Sequence, residues 1–449
     1  MGTDALYSAA IPAPPVLGVV VSHADTASVS IGEHLRSTGD WEPVQDPATP
    51  AGRGVTGYRR PGITVREFEE WHLELEGVAA AFEDPSLIVF ASRHSGETGP
   101  LLSTHFTGNF GPAEYGGDPN DLAPAAPNAA HHLLGVLDDV APTGYDVTLE
   151  CTHHGPTDVG APSLFVEIGS DESQWTDAAP AAAVADAIRS LPGVEPHTDR
   201  TVVTVGEGHY APRATRIARE TDWAVGHILP DWAIDDLDPA VLDQLFTRSG
   251  ATRAVATDAP ASVVDQIERA GYTVVTETWV RETTGVPLDR VTTLESRVCP
   301  VADGLRFGDR AGTTGEVLVR DLPAAVLEAA LGVDVGATRA AVAETTAAFV
   351  TTEGGSRVDG RVAVPADTGL DPVIEAVIAV LETGYETVAR DPDAVVVTDT
   401  VFDPAAARDH GVPEGPKFGR LAAGESVTVD GETVTPEMVT TRRTRRLPL

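Results

Sequence analysis

The stretch SLIVFASRHSGET, Ser86–Thr98, decides how this chain is read. Ser86–Ala91 is an apolar run without polar alternation, the pattern of a short strand covered on both faces. It gives way at Ser92 to a polar loop carrying Arg93 and His94. Working outward, the same grammar recurs. Val16–Ser22 is a short apolar run followed by a helical stretch at Ser28–Leu35. Asp146–Thr152, Ser163–Ile168 and Thr201–Val205 are three more β-rich runs. Asn128–Val140 reads as a helix bracketed by Pro127 and Pro142, and Pro180–Ser190 and Pro212–Glu220 as two further helices. Strands separated by helices predict an α/β fold, a largely parallel sheet flanked by helices.

Beyond Pro239 the pattern is weaker, with helices at Val241–Arg248 and Ala261–Ala270 and a strand at Tyr272–Thr278. After Cys299-Pro300 the composition turns to Ala, Val, Thr, Asp and Gly, with a helix at Val373–Thr383 and a strand at Ala394–Thr398. A catalytic α/β domain over 1–297 and a C-terminal α+β extension over 298–449 are therefore expected. A total of 449 residues accommodates two or three domains.

Composition bounds the function. Hydrophobic content of 42% supports ordinary cores. No apolar run is long enough to cross a bilayer, and the first ten residues carry no Lys or Arg, so no membrane partner and no secretory leader are expected. Two cysteines, Cys151 and Cys299, exclude a disulfide framework or a cysteine-rich zinc site. A cytoplasmic monomer is the expectation. Lys and Arg number 31 against 68 Asp and Glu, a net charge of −37, and Lys417 is the single lysine. At molar salt the Debye length is only ~3 Å, so such a surface stops repelling itself. This is the composition of a salt-adapted, halophilic protein. Its acidity reports the solvent and neither excludes nor supports a nucleic-acid partner.

The histidines carry the sharpest signal, since twelve of the thirteen precede residue 228. His94, His105, His153, His154 and His209 each fall where an expected strand meets a loop. In a parallel sheet the carboxyl ends of strands form the crevice that binds ligands. Histidine is the commonest zinc ligand, and Glu150 and Glu167 could complete or orient a site. His153 and His154 would point to opposite faces within a strand, so both reach one pocket only if the chain has turned, as Gly155-Pro156 allows. HExxH, HxHxDH, CxxC and GxSxG are all absent, and Cys151 reads as a packed thiol in a buried strand. VGEGHYAPR misses GxGxxG. The amides that open the Pro212 helix either hold an anion or belong to a plain connection.

Three blocks, SRHSGETGPLLSTHFTGNFG (Ser92–Gly111), ECTHHGPTDVGAPSLFVEIGS (Glu150–Ser170) and VGEGHYAPRATRIA (Val205–Ala218), resemble the archaeal and plant-type D-aminoacyl-tRNA deacylases. The resemblance runs from about Leu17 to Glu295. It implies a zinc-dependent enzyme hydrolysing the ester between a D-amino acid and the 3′ end of tRNA, on an α/β fold related to peptidyl-tRNA hydrolase and phosphorylase-like proteins. The matching positions are His94, His105, Asn109, Glu150, His153, His154, Glu167 and His209. On this reading Zn2+ is held by His105, His153, His154 and His209. Glu150 and Glu167 act as further ligands, orienting groups or general base. His94 with Arg93 meets a phosphate or the oxyanion, and Asn109, Gly208 and Tyr210 contact substrate. Other readings stay open: a zinc aminopeptidase or amidase on small D-amino-acid derivatives, or a non-catalytic tRNA-binding protein.

The segment GVPEGPKFGRLAAGESV (Gly411–Val427) resembles a closing motif of longer relatives and the tail of metallo-β-lactamase-type nucleases, whose HxHxDH is missing. At the chain's end TTRRTRRLPL groups Arg442, Arg443, Arg445 and Arg446 on a flexible-looking tail, either solvated or in contact with tRNA phosphate.

Overall fold

The Ser86–Ala91 run lies inside one of the central strands of the larger sheet, seen in a computed structural model that describes residues 16–45, 56–235 and 237–449. The chain divides into two units, Met1–Thr284 and Gly285–Leu449. The first unit's main sheet is built from β1 (Val16–Ser22), β2 (Glu42–Gln45), β3 (Thr56–Arg60), β4 (Ile63–Phe68), β5 (Pro85–Arg93), β6 (Leu101–His105), β7 (Asp146–Leu149) and β8 (Ser163–Gly169). Their order is β2-β3-β4-β1-β5-β8-β6-β7. The central four, β4, β1, β5 and β8, are parallel. β2 and β3 fold back antiparallel on one edge. On the other, β6 and β7 are parallel to each other but antiparallel to β8.

Ile88, Val89 and Phe90 are all fully buried, although successive side chains point to opposite faces. Both faces of β5 are therefore covered, as the unbroken apolar run required. Helix α1 (Thr26–Arg36) starts at Asp25, whose carboxylate accepts from Ser28 N at 3.1 Å. α2 (Pro127–Val140) begins with proline at its first turn, where no amide hydrogen is needed. The short α3 (Glu172–Trp175) leads into α4 (Ala178–Arg189), whose Arg189 guanidinium donates to the His34 carbonyl at the end of α1.

A second sheet in the same unit is wholly parallel: β9 (Thr201–Glu207), β10 (Ala224–Pro230), β11 (Arg253–Val255) and β12 (Thr273–Val275), in the order β10-β9-β11-β12. Helix α5 (Pro212–Glu220) connects β9 to β10. The two sheets are joined where β7 ends. β7 stops at Leu149, short of the expected Thr152, because Cys151 N turns to donate to His209 O at 2.8 Å and Thr152 N to Ile228 O at 3.0 Å. Cys151 is thus a buried thiol just past the strand, not within it.

The second unit holds a four-stranded antiparallel sheet, a three-stranded antiparallel sheet and a two-stranded hairpin, with helices between them. This is the α+β extension, but it begins earlier than residue 298. The helix Leu288–Arg297 belongs to it: Arg290 donates to Gly315 O and Glu295 accepts from Val301 N. The composition shift at Cys299 marks a change within the unit, not its start. The arginine-bearing end is corrected too. Thr440–Pro448 is a strand paired along its length with Ala394–Phe402, not a flexible tail. Among the described residues no helix is long and apolar enough to cross a membrane.

Candidate active centre

The face shared by β5, β8 and β6 forms the floor of the centre. Strand register sets Ser92 beside Glu167 and Phe90 beside Phe165, while across β6 Ser103 pairs with Glu167 and His105 with Phe165. Paired residues share a face, so His105, Phe165 and Glu167 all project the same way. Phe165 stacks on Phe90 with centroids 4.4 Å apart and lies nearly parallel to His105 at 5.2 Å. Below them His72 meets both phenylalanines edge-on.

The remaining groups arrive on loops. Glu150 follows β7, and His153 and His154 follow it in the loop between β7 and β8, which hydrogen-bonds to the second sheet on its way. His154 has φ of 46°, a left-handed conformation uncommon outside glycine. That turn lets neighbouring histidines face one cluster, with rings 4.5 Å apart and His105 within 4.3 Å of His153 and 4.9 Å of His154. His209 comes from the loop after β9, its ring 4.8 Å from His153 and its Nε2 2.9 Å from Glu150 Oε2. His94 leaves β5 with Nδ1 3.1 Å from Glu150 Oε1 and 3.6 Å from Glu167 Oε2.

The hydrogen bonds orient these rings. His105 Nδ1 faces Phe106 O at 3.1 Å, His153 Nδ1 faces Cys151 O at 2.7 Å and His154 Nδ1 faces Gly155 O at 2.7 Å. A carbonyl can only accept, so each Nδ1 carries a hydrogen; His153 and His154, lowered by burial, then present a lone pair on Nε2, whereas His105, opposed by burial but raised by Glu167, does so once it gives up its second proton. This is the tautomer that ligates metals through Nε2. His105 Nε2 and both Glu150 oxygens are buried with no hydrogen-bond partner of good geometry. Glu150 nonetheless has ionic neighbours, His209 Nε2 at 2.9 Å and His94 Nδ1 at 3.1 Å. Ligand atoms of His105, His153 and His154, of His94, Glu150 and His209, of Cys151, His153 and His209, and of His105, Glu150 and Glu167 form groups within 4.8 Å. The donor set fits a cation: buried polar atoms without partners are costly, and one ion would satisfy several together.

Electrostatics agree with that arrangement. Burial opposes the charge on Glu150, yet His209 and His94 hold its carboxyl well below the usual range. Burial likewise opposes ionisation of Glu167, but His105 and His94 bring it down to about 2. His94 loses to burial and gains more from Glu150 and Glu167, ending at about 11. Burial, reinforced by His105, keeps His154 neutral with a pKa near about 4, and His153 is lowered for the same reasons.

The centre opens into a cavity of about 1040 Å³ whose wall includes Arg93, His94, Asn109, His153, Glu167 and His209. Other residues marked in the sequence have different roles. Gly208 and Tyr210 are absent from that wall, and Tyr210 instead places its hydroxyl 3.2 Å from His94 Nε2. Asn109 uses its amide nitrogen on Gly116 O and Asp118 O, pinning a loop. Arg93 is sandwiched between Trp71 and Trp175, 4.5 and 4.4 Å from their centroids, which leaves only the edges of its guanidinium to meet a ligand. The amides opening α5 hold no free anion site, because Glu207 already accepts from Arg213 N and Ala214 N. Sequence reasoning missed Trp71, Tyr115, Trp175 and Trp232, isolated aromatics that no motif flags.

Fold and centre together define an α/β protein whose deep cluster gathers five histidines and two glutamates. Residues 81–275 match the family model described as D-aminoacyl-tRNA deacylase. The chain is 49% identical over 438 residues to a D-aminoacyl-tRNA deacylase of Halobacterium salinarum, covering 96% of this chain and 95% of that one. It is also 49% identical to one of Natronomonas pharaonis, covering 96% and 99%. A solved structure described as a conserved protein of unknown function is 29% identical, with a TM-score of 0.55, over 60% of this chain and 98% of that one. The chain belongs to the D-aminoacyl-tRNA deacylase family.

Proposed function

We propose that this chain hydrolyses the ester joining a D-amino acid to the 3′ end of tRNA, at a zinc centre formed by His105, His153, His154 and His209 with Glu150 and Glu167. The observation that supports the metal is the common orientation of His105, His153 and His154, each with Nδ1 on a carbonyl, which leaves Nε2 as the atom free to ligate. The donors are nitrogen and oxygen, which suits Zn2+. A bound zinc supplies Lewis acidity and brings the pKa of a coordinated water to ~7. The chain's own groups do the rest. Glu150 or Glu167, both kept ionised, receives the one proton that the attacking water loses. His94, with Nδ1 on the carboxylates and Nε2 on the Tyr210 hydroxyl, faces the cavity and places its positive charge beside the developing oxyanion.

The first unit carries the chemistry, and the second assists stability or tRNA binding. The enzyme acts as a monomer, and its substrate makes the cytoplasm its compartment. The test compares D-tyrosyl-tRNA with its L counterpart at molar KCl, before and after chelation and zinc readdition. Release from the D form alone, lost on chelation and restored by zinc, is the expected result. Full activity in a metal-free preparation removes the zinc, equal rates on both forms remove the stereochemical reading, and turnover of small amino-acid esters without tRNA favours an aminopeptidase.

A further inference from the structure

Among the described residues the large hydrophobic side chains left exposed are Tyr115, Val140, Trp232, Val335 and Met438. Scattered aliphatic exposure needs no explanation. The two aromatic ones do, because both line the catalytic cavity, Tyr115 at 67% exposed and Trp232 at 60%. They stand at different ends of the histidine row. Trp232, on the turn Asp231–Ala233 just past β10, lies beside His209. Tyr115 lies next to the other end, its carbonyl accepting from Gly155 N at 2.9 Å, one residue beyond His154.

Neither ring is incidental to its neighbours. Trp232 is nearly parallel to His209, at 18°, but with centroids 6.4 Å apart against 4.4 Å for the contact stack of Phe90 on Phe165. Its face is therefore not closed off by His209. Tyr115 sits on a loop held from several sides: Asn109 donates to Gly116 O, and Asp118 N donates to Thr157 Oγ1. A Cβ on Gly116 would meet Leu73 O at 2.3 Å, so the backbone there is packed tight. A pinned backbone that leaves a large ring exposed at a cavity mouth is a placed platform.

We propose that Trp232 and Tyr115 form a stacking rim for the unpaired bases at the 3′ end of the RNA, with the terminal base on Trp232. This rests on the chain being a deacylase of charged tRNA. The scissile carbonyl must reach the histidines, so the nucleoside bearing it lies one ribose away, at the cavity mouth. The aminoacyl group points inward to the floor, and the RNA is the part of the substrate that continues outward past exposed rings. Stacking also suits the solvent. A chain of net charge −37 gains little from counterion release at molar salt, whereas an aromatic face accepts any base without long-range fields.

The test measures binding of two short single-stranded RNAs to the full chain at molar KCl, one ending in CCA and one identical but abasic at its last nucleotide. The wild type should bind the intact RNA about tenfold more tightly. Trp232→Ala should bind both equally weakly, Trp232→Phe should recover the preference, and Tyr115→Ala should weaken both several-fold. The abasic comparison in the wild type needs no variant, so poor folding of Trp232→Ala cannot mask the result. No preference in the wild type, or an undiminished preference in Trp232→Ala, overturns the rim. Turnover of D-aminoacyl-tRNA is measured separately: the preference without turnover supports the rim and refutes the deacylase reading, while turnover without the preference refutes the rim alone.

Discussion

Two regions of this molecule are rich in ionisable side chains and differ in how those side chains are partnered. In the strand Thr440–Pro448 the arginines are paired: Arg443 with Asp399, Arg446 with Asp391 and Asp393, Arg442 with Glu386, and Arg445 with the Tyr385 hydroxyl. At the centre, His105 Nε2 and the Glu150 oxygens are buried with no partner of good geometry. The first cluster is largely paired within its own fold, Arg445 Nε being the one buried atom there left without a partner among the described residues. The second keeps several buried polar atoms without a partner of good geometry, and the proposed metal centre is built on them. Density of charge says little; satisfaction decides.

Breaking the centre should produce the largest effect. Glu150→Ala or His209→Ala should lower turnover by on the order of 10²–10³-fold and reduce bound zinc in elemental analysis, with far-UV dichroism unchanged. His131→Ala is the control, since His131 sits on α2 and bonds only the Trp223 carbonyl. Equal losses in both would mean the unsatisfied cluster has no special status. Next, deleting Thr440–Leu449 should unfold part of the second unit, because Ala394–Phe402 would lose its partner strand. The readout is new protease cleavage within 285–449. A native cleavage pattern would restore the view of a dispensable tail.

A third measurement sharpens the comparison with a buried carboxyl that has partners and still resists ionisation. Asp25 is fully buried, accepts from Ser28 N and Arg93 N, and is raised mainly by burial to about 6 from 3.8. Its neighbour His72 is lowered by burial to about 3, so the 3.8 Å approach between them is not an ion pair. The folded state keeps a proton that the unfolded state releases, so this stabilising contribution is complete below about pH 4 and lost as pH rises to about 6. The loss amounts to at most ~3 kcal/mol. Asp25→Asn should flatten that part of the stability–pH curve, whatever it does to absolute stability; an unchanged slope would show that Asp25 ionises freely. The smallest effect belongs to the satisfied cluster. Arg443→Ala should lower the melting midpoint by roughly a degree or two and leave RNA binding as it was. A several-fold loss of RNA affinity would show that the pairing with Asp399 hides a phosphate contact.

Much of the first unit was legible in the chain itself. Strands at Val16–Ser22 and Ser163–Ile168 and the helix closing at Val140 are local patterns, and local patterns survive folding. The cluster of His94, His105, His153, His154, His209 and the two glutamates was legible as residue types at loop positions. Three things were not. The direction of β6 and β7, antiparallel to β8, brings His105 and Glu150 across the face of the sheet rather than to one common edge. No periodicity records strand direction. The pairing of the terminal arginines depends on acids about fifty positions earlier, brought opposite by strand register. Which nitrogen of each histidine meets a carbonyl depends on backbone turns such as the left-handed His154. By itself, then, the sequence determined the α/β grammar, the salt-adapted surface and the chemical inventory, because these follow from side-chain type and short-range spacing. Only the tertiary structure decided which polar groups end satisfied and which do not, because satisfaction depends on atoms far apart in the chain meeting within about 3 Å in the right orientation.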